Sequence, residues 1–277
     1  MFKGRVSKIL IILFVLTAAV FCYVYFGWEN SDSDASPVIS FDETSLTISV
    51  EDDEEVLLEG VEAYDEEDGD LTGSVVIESI SDFADDGSRV VTYAVFDSAN
   101  NVTKASRSFY YSDYTSPEII LLEELVVSVG SRINLQDYIE VYDVLDGIIT
   151  SQLQITESEY SMYYAGDYEV TFQVTNSAGD TQEVTYIIRC VENGDDSSGT
   201  SIVLTAYSVY IELGEDFNAE DYIESVSGYN YYGVEITKDY VKITGEVDTN
   251  EEGVYTVLYE LSTYSGSDQV YLTVIVR

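Results

Sequence analysis

No histidine occurs anywhere in the 277 residues, and Lys and Arg number only 11 against 53 Asp and Glu. The first absence removes the usual general base near neutral pH and the commonest zinc ligand. The second argues against nucleic acid as a partner, because such binding is driven by Lys and Arg neutralising phosphates. Lys3, Arg5 and Lys8 precede the first acid, Glu29, which leaves 8 basic residues against all 53 acids from there onward. Such a surface is repelled by anionic membrane faces, attracts cations and stays in solution. Cys22 and Cys190 are the only cysteines, too few for a disulfide framework beyond the N-terminal segment. Cys190 ends the run TYIIRC and reads as a small buried thiol, with an interchain disulfide as the alternative. With 2 prolines and 18 glycines, turns must rely on Asp, Asn, Ser and Gly.

What is present is apolar and patterned. Hydrophobic residues make up 45% of the chain, and 25 tyrosines are spread through alternating segments able to build a core. The start, MFKGRVSK (1–8), is basic, and 9–28 is free of charge. A helix over 9–28 spans about 30 Å, the thickness of a bilayer's hydrocarbon core. Tyr23, Tyr25 and Trp28 fall near its outer end, where amphipathic rings suit the interface. The expectation is a single-pass signal-anchor over 9–28 in a cell membrane, with 1–8 cytoplasmic and the rest outside. The alternative is a signal peptide cleaved after Thr17-Ala18-Ala19, which leaves the apolar terminus VFCYVYFGW. Residues 29–36 read as a polar linker.

The remainder repeats: 37–113, 117–193 and 201–277 share a glycine followed by strict alternation. The first has Gly87, Arg89, Val91, Tyr93, Val95 and Asp97; the second Gly166, Tyr168, Val170, Phe172, Val174 and Asn176; the third Gly253, Tyr255, Val257, Tyr259, Leu261 and Thr263. Period two means a strand with one face in a core. Each strand meets a turn (DSANN, NSAGD, TYSGSD) and then a second alternating run, which makes a β-hairpin. About seven short strands per repeat, with no helix outside the anchor, predict an all-β protein of three small sandwiches.

AYDEEDGDLT (63–72) followed by VVTYAVFDSANNVTK resembles the bacterial immunoglobulin-like domains of the pesticidal-crystal-protein type, which are related to hyalin-repeat modules. The second repeat carries the resemblance through VYDVLDGIITSQLQI and AGDYEVTFQVTNSAGD. The third keeps only the final hairpin, with ESVSGYNYYGVEIT in place of the acidic loop. The resemblance implies three tandem immunoglobulin-like sandwiches on a bacterial cell surface, acting as a non-catalytic adhesion, spacer or envelope-assembly module. Tyr168 and Tyr255 stand where such sandwiches form a tyrosine corner, while the first repeat has Arg89.

Three readings compete for the acidic loop. Catalysis by paired carboxylates requires a cleft that a short sandwich loop does not provide. A calcium site needs six to eight oxygens, to which Asp65, Glu67, Asp68 and Asp70 contribute several. The second repeat keeps only Asp143 and Asp146. The simplest reading is a turn: Asp65 and Asp143 accept from backbone N–H groups two residues on, Gly69 and Gly147 take positive φ, and Thr72 and Thr150 open the next strand. In the third repeat, Tyr229, Tyr231 and Tyr232 place three rings in a loop able to stack on a sugar or an extracellular protein. Glycan binding there is the alternative function. No cofactor is required by this reading, beyond an optional calcium ion.

Overall fold

The computed structural model describes residues 14–22, 35–132, 134, 137–161, 163–192 and 199–277. Residues 14–22 are helical. Among the described residues no helix is long and apolar enough to cross a membrane. The rest of the expected 9–28 span, all of 1–8, and residues 29–34 of the linker lie outside them. The described chain beyond residue 35 is all-β, with short 3-10 turns, and divides into two compact units, residues 1–112 and 113–277.

The first unit holds one sandwich. Strands β1 (Val38–Phe41), β3 (Val61–Asp65) and β4 (Gly69–Asp70) form one sheet. Strands β2 (Ser45–Ile48), β7 (Val102–Tyr111), β6 (Arg89–Phe96) and β5 (Val76–Ile80) form the other. The chain crosses between sheets after β1, so β2 lies parallel to β7 while the other pairs are antiparallel. Three plus four strands with this early crossing is the arrangement of an immunoglobulin-like sandwich. Alternation puts Val91, Tyr93 and Val95 of β6 inside with Phe109 of β7, all fully buried. Each such side chain contributes about 1.5–3 kcal/mol of apolar burial.

The second unit contains two sandwiches. In one, β8 (Glu118–Leu121), β10 (Ile139–Asp143) and β11 (Gly147–Ile148) face β9 (Val126–Ser128), β14 (Thr181–Val191), β13 (Gly166–Thr175) and β12 (Gln154–Ser158). In the other, β15 (Ser201–Leu204) and β17 (Ile223–Ser227) face β16 (Ser208–Ile211), β20 (Gly266–Val276), β19 (Gly253–Thr263) and β18 (Lys242–Thr244). β9 and β16 again run parallel to the last strand of their sandwich.

No disulfide joins the sheets; Cys190 is a buried free thiol, and burial raises its pKa. A buried tyrosine hydroxyl does the pinning. Tyr186 Oη donates to the Ile119 carbonyl at 2.5 Å and Tyr259 Oη to the Ala219 carbonyl at 2.7 Å. In the first sandwich Tyr93 Oη donates to the Leu57 carbonyl, which also accepts from Arg107 Nη2 at 2.7 Å. Arg107 sits opposite Val91 in register, as Tyr186 sits opposite Val170, and is just as buried. The tyrosine corners form as read from the sequence: Tyr168 Oη donates to Tyr164 O (3.0 Å) and Tyr255 Oη to Glu251 O (2.9 Å). Arg89 makes its own corner, with Nε on Ser81 O at 2.8 Å and the guanidinium over the Phe83 ring.

The two sandwiches of the second unit share a packed joint. β20 is buried on both faces from Leu272 to Val276, unlike the alternating β7 and β14. Its Leu272, Val274 and Val276 fill their own core, while Ile275 joins the core of the neighbouring sandwich. The outward N–H groups of edge strand β8 are capped across this joint: Ile119 N donates to Tyr210 Oη (2.7 Å) and Leu121 N to Ser208 Oγ (2.8 Å). An edge closed in this way is withdrawn from strand addition.

Replacing Tyr259 with Phe keeps the ring and leaves the Ala219 carbonyl without its donor. The expected loss is about 1–2 kcal/mol, read as a lower urea midpoint at unchanged m-value. Stability equal to the parent would show that the hydroxyl pins nothing.

Candidate functional site

Three places answer to the residues singled out in the sequence. The first is the pair of acidic loops. Asp65 Oδ1 accepts from Glu67 N (2.8 Å) and Asp68 N (3.0 Å); Asp143 Oδ1 accepts from Leu145 N and Asp146 N, both at 2.9 Å. Gly69 and Gly147 have φ of 78° and 73°, the left-handed corner that glycine supplies without steric cost. Thr72 and Thr150 do not open strands. They start 3-10 turns, and their Oγ1 atoms tie back to Ala63 N (3.1 Å) and Val141 N (2.9 Å). The hydroxyl's preference for a backbone N–H wins over strand propensity here. Asp70 accepts from Thr72 N at 2.9 Å, which holds its carboxyl below the usual range. Among the described residues no three acidic or cysteine side chains gather as a metal shell, so Asp65, Glu67, Asp68 and Asp70 do not converge on one point.

The second place is the loop of the third sandwich. Asn230 Oδ1 accepts from Tyr232 N (2.9 Å) and Val234 N (3.1 Å), and Gly233 turns at φ 70°. Tyr229 N donates to Ser265 Oγ (3.0 Å), and Tyr264 N donates to Tyr229 O (3.1 Å). The tight turn presents Tyr231 and Tyr232 at 73% and 84% exposure. Tyr264, from the β19–β20 turn, completes the ridge: its ring meets Tyr231 edge-on at 5.4 Å, and Tyr231 meets Tyr232 at 5.5 Å. Tyr264 was not among the residues singled out; its signal was an aromatic residue in a hairpin turn, where a polar one is usual.

The third place is a cleft of about 960 Å³ in the second unit, where β13 and β14 meet β19 and β20. Arg189 stands between Glu124 (3.6 Å) and Asp268 (3.4 Å), and its Nη1 donates to the Gln269 carbonyl. Asp167 Oδ2 accepts from Gln269 Nε2 (2.9 Å) and Tyr271 Oη (2.7 Å). Glu124 Oε1 is buried with no hydrogen-bond donor. Its desolvation outweighs the attraction of Arg189, and with repulsion from Asp268 and Asp167 its pKa rises to about 7. Nothing in LLEEL distinguishes Glu124 from Glu123 in advance.

No family model matches the chain. Over 173 residues, 61% of the chain, it is 27% identical to pesticidal crystal protein Cry22Aa of Bacillus thuringiensis, covering 23% of that protein. Over 147 residues it is 26% identical to an uncharacterised 81.3 kDa protein of Acholeplasma phage L2, covering 19% of it. The chain thus spans only about a fifth of the length of these curated relatives. The first match agrees, as a distant similarity, with the resemblance carried by the acidic loops and hairpins. Among solved structures, the CBM51-2 and INT domains of Clostridium perfringens ZmpB superpose with a TM-score of 0.25 at 23% identity over 52% of this chain and 29% of that one. The protocadherin GammaB4 extracellular domain gives 0.21 at 11% identity, over 88% and 51%. Neither superposition is close.

The raised pKa of Glu124 has a definite sign. Its folded value lies above its unfolded one, so the fold takes up a proton as it forms between about pH 4.5 and 7. Glu124 therefore costs nothing at the acid end of that window, and stability falls as pH rises through it to a plateau above. Glu124→Gln removes the penalty. The variant should gain on the order of 2 kcal/mol over the parent at pH 8 and nothing near pH 4.5, measured by urea unfolding. A difference that stays flat with pH would show that Glu124 ionises freely.

Proposed function

We propose that the chain is a non-catalytic display module of a bacterial surface, in which immunoglobulin-like sandwiches carry the tyrosine ridge of the third one outward to a partner. The domains are 37–113, 117–193 and 201–277, reached through the linker 29–36 from a single-pass anchor at 9–28. The observation that carries the reading is the ridge itself. Tyr231, Tyr232 and Tyr264 are large, exposed and rigidly seated on a hydrogen-bonded turn, where a fold alone needs only a polar loop. The absence of histidine, which removes the usual general base near neutral pH, and the commitment of the Asp65 and Asp143 carboxylates to backbone N–H groups support the non-catalytic reading.

Its chemistry favours a saccharide of no net negative charge. Aromatic faces stack on the C–H side of sugar rings without needing a charge partner, and the acidic exterior rejects anionic glycans. An extracellular protein with a neutral or basic apolar patch is the other partner class.

Tyr231→Ser with Tyr232→Ser should leave the melting temperature within about 1 °C, because both rings are exposed. The same double variant should lose binding on an array of neutral glycans by tenfold or more. Parent protein that binds nothing on the array, yet retains a protein partner through the same two rings, would replace the glycan with the protein reading. Binding unaffected by the two substitutions would remove the ridge from the function altogether. For the anchor, full-mass protein should sediment with membranes, whereas soluble chain starting near Val20 would establish cleavage.

A further inference from the structure

Acidic residues crowd most of this chain, and one sheet is spared. Strands β2, β7, β6 and β5 of the first sandwich hold a single carboxylate, Glu78, in a chain that has 53 acids. Glu78 is itself matched, because it pairs with Lys104. The register sets Val76 of β5 and Lys104 of β7 on either side of Ala94, so the ion pair spans the middle strand β6. Ala94 is 3% exposed, although Tyr93 and Val95 beside it take the core side of that strand. Around the pair the face is apolar. Phe96 stands opposite Val102, and these two and Val76 are 52%, 44% and 50% exposed. Val90 and Tyr110 are exposed farther along, with hydroxyls at Ser45, Thr47 and Ser106. One exposed apolar side chain is ordinary, but five on a sheet face of no net charge mark a contact surface.

The third sandwich shows one use of such a face. Ser45 and Thr47 of β2 lie opposite Ser108 and Tyr110 of β7, as Ser208 and Tyr210 of β16 lie opposite Thr273 and Ile275 of β20. All of these positions are uncharged. In the third sandwich they are spent on another sandwich: Ser208 and Tyr210 cap the edge of β8, and Ile275 enters the neighbouring core. The second sandwich has no equivalent, since β13 and β14 carry exposed Glu169 and Glu183.

We propose that the outer face of the β2–β7–β6–β5 sheet is a self-association surface, on which the first sandwiches of two copies of this chain pair about a two-fold axis at Ala94. Charge selects the occupant. Two copies, each of net charge −42, repel one another unless they meet where neither carries an unpaired carboxylate. A two-fold contact also lays each patch on its own inverse. Lys104 then faces Glu78 of the partner subunit, the two ion pairs close into a ring of alternating charge, and Val76, Phe96 and Val102 pack around it. Four strands about 4.8 Å apart bury on the order of 1,000 Å² in total, the size of a weak, reversible interface. The surface does not rest on the glycan reading, because no tyrosine of the ridge lies on it.

The test is sedimentation equilibrium of the full chain from about 1 to about 200 µM, in a non-ionic detergent that disperses the apolar segment 9–28. The parent should show a monomer–dimer equilibrium with a Kd on the order of 10 µM. Phe96→Asp should leave the melting temperature unchanged and raise that Kd at least about tenfold. Glu78→Lys and Lys104→Glu should each abolish the dimer, because each sets like charges opposite one another across the axis. An equimolar mixture of these two variants should dimerise again, which association through 9–28 does not produce. A parent that stays monomeric throughout, a dimer that survives Phe96→Asp, or charge variants whose mixture fails to pair would overturn the surface.

Discussion

A hydroxyl buried between two sheets is the constraint around which each sandwich is arranged. With no bridge available, the sheets are held by side chains that must satisfy packing and polarity at once. Tyrosine does both: its ring fills the centre of the core, and its Oη must find an acceptor there because an unpaired buried hydroxyl costs several kcal/mol. The acceptors are backbone carbonyls at Leu57, Ile119 and Ala219, two of them in 3-10 turns. In those two sandwiches the bond positions the short segment that crosses between sheets, and in the second it fixes strand β8. It also penalises a one-residue slip of β6, β14 or β19, which would turn the ring to solvent and strand the carbonyl. Arg107 shows the requirement most clearly, since a guanidinium takes the place of the second sandwich's tyrosine and still reaches backbone carbonyls at Leu57 and Glu59.

What was legible in the sequence followed from periodicity. Strands β6, β13 and β19 and the hairpins after them could be read because period two over eight or more residues has no other physical cause. The corners at Tyr168 and Tyr255, and the Asx geometry of Asp65 and Asp143, could be read because those contacts are local. Contacts that depend on which strand lies opposite were out of reach. Arg107 occupies an inward position that alternation alone would have given to an apolar residue, and Glu124 acquires its environment only when two sandwiches meet. The joint did leave a trace. VYLTVIV at 270–276 is an almost unbroken apolar run, the mark of a strand covered on both faces.

The three copies diverge most in side-chain chemistry at one end of each sandwich. Loop and hairpin meet at one end of each sandwich; the first two share the hairpin's backbone frame and differ there as carboxylate and amide, while the third has a tighter hairpin, Thr263 pairing with Gly266, and hydroxyls. The hydroxyl version asks least of its surroundings. It is also the version whose loop turns on Asn230 rather than on a buried aspartate and presents tyrosines, with Ser265 receiving Tyr229 N. The acidic loop and the aromatic ridge are thus alternative uses of one structural position, and an aromatic ridge arises where the polar interior no longer needs the loop's carboxylate.

The distribution of positive charge bears on what such a ridge can do for an acidic protein. Arg107 is inside a core, Arg189 and Arg277 lie in the joint, and Arg89 closes a corner. Lys104 and Lys242 pair across strands with Glu78 and Glu260, and Lys238 holds the Ile223 carbonyl. These seven cations are engaged by the fold, while Arg132 is exposed, and the exterior is dominated by carboxylates. Any partner approaching such a surface meets repulsion if anionic and nonspecific attraction if cationic. Selectivity then requires a contact that charge does not dominate, and under the proposed function the exposed rings are the groups suited to it, through stacking that salt does not screen.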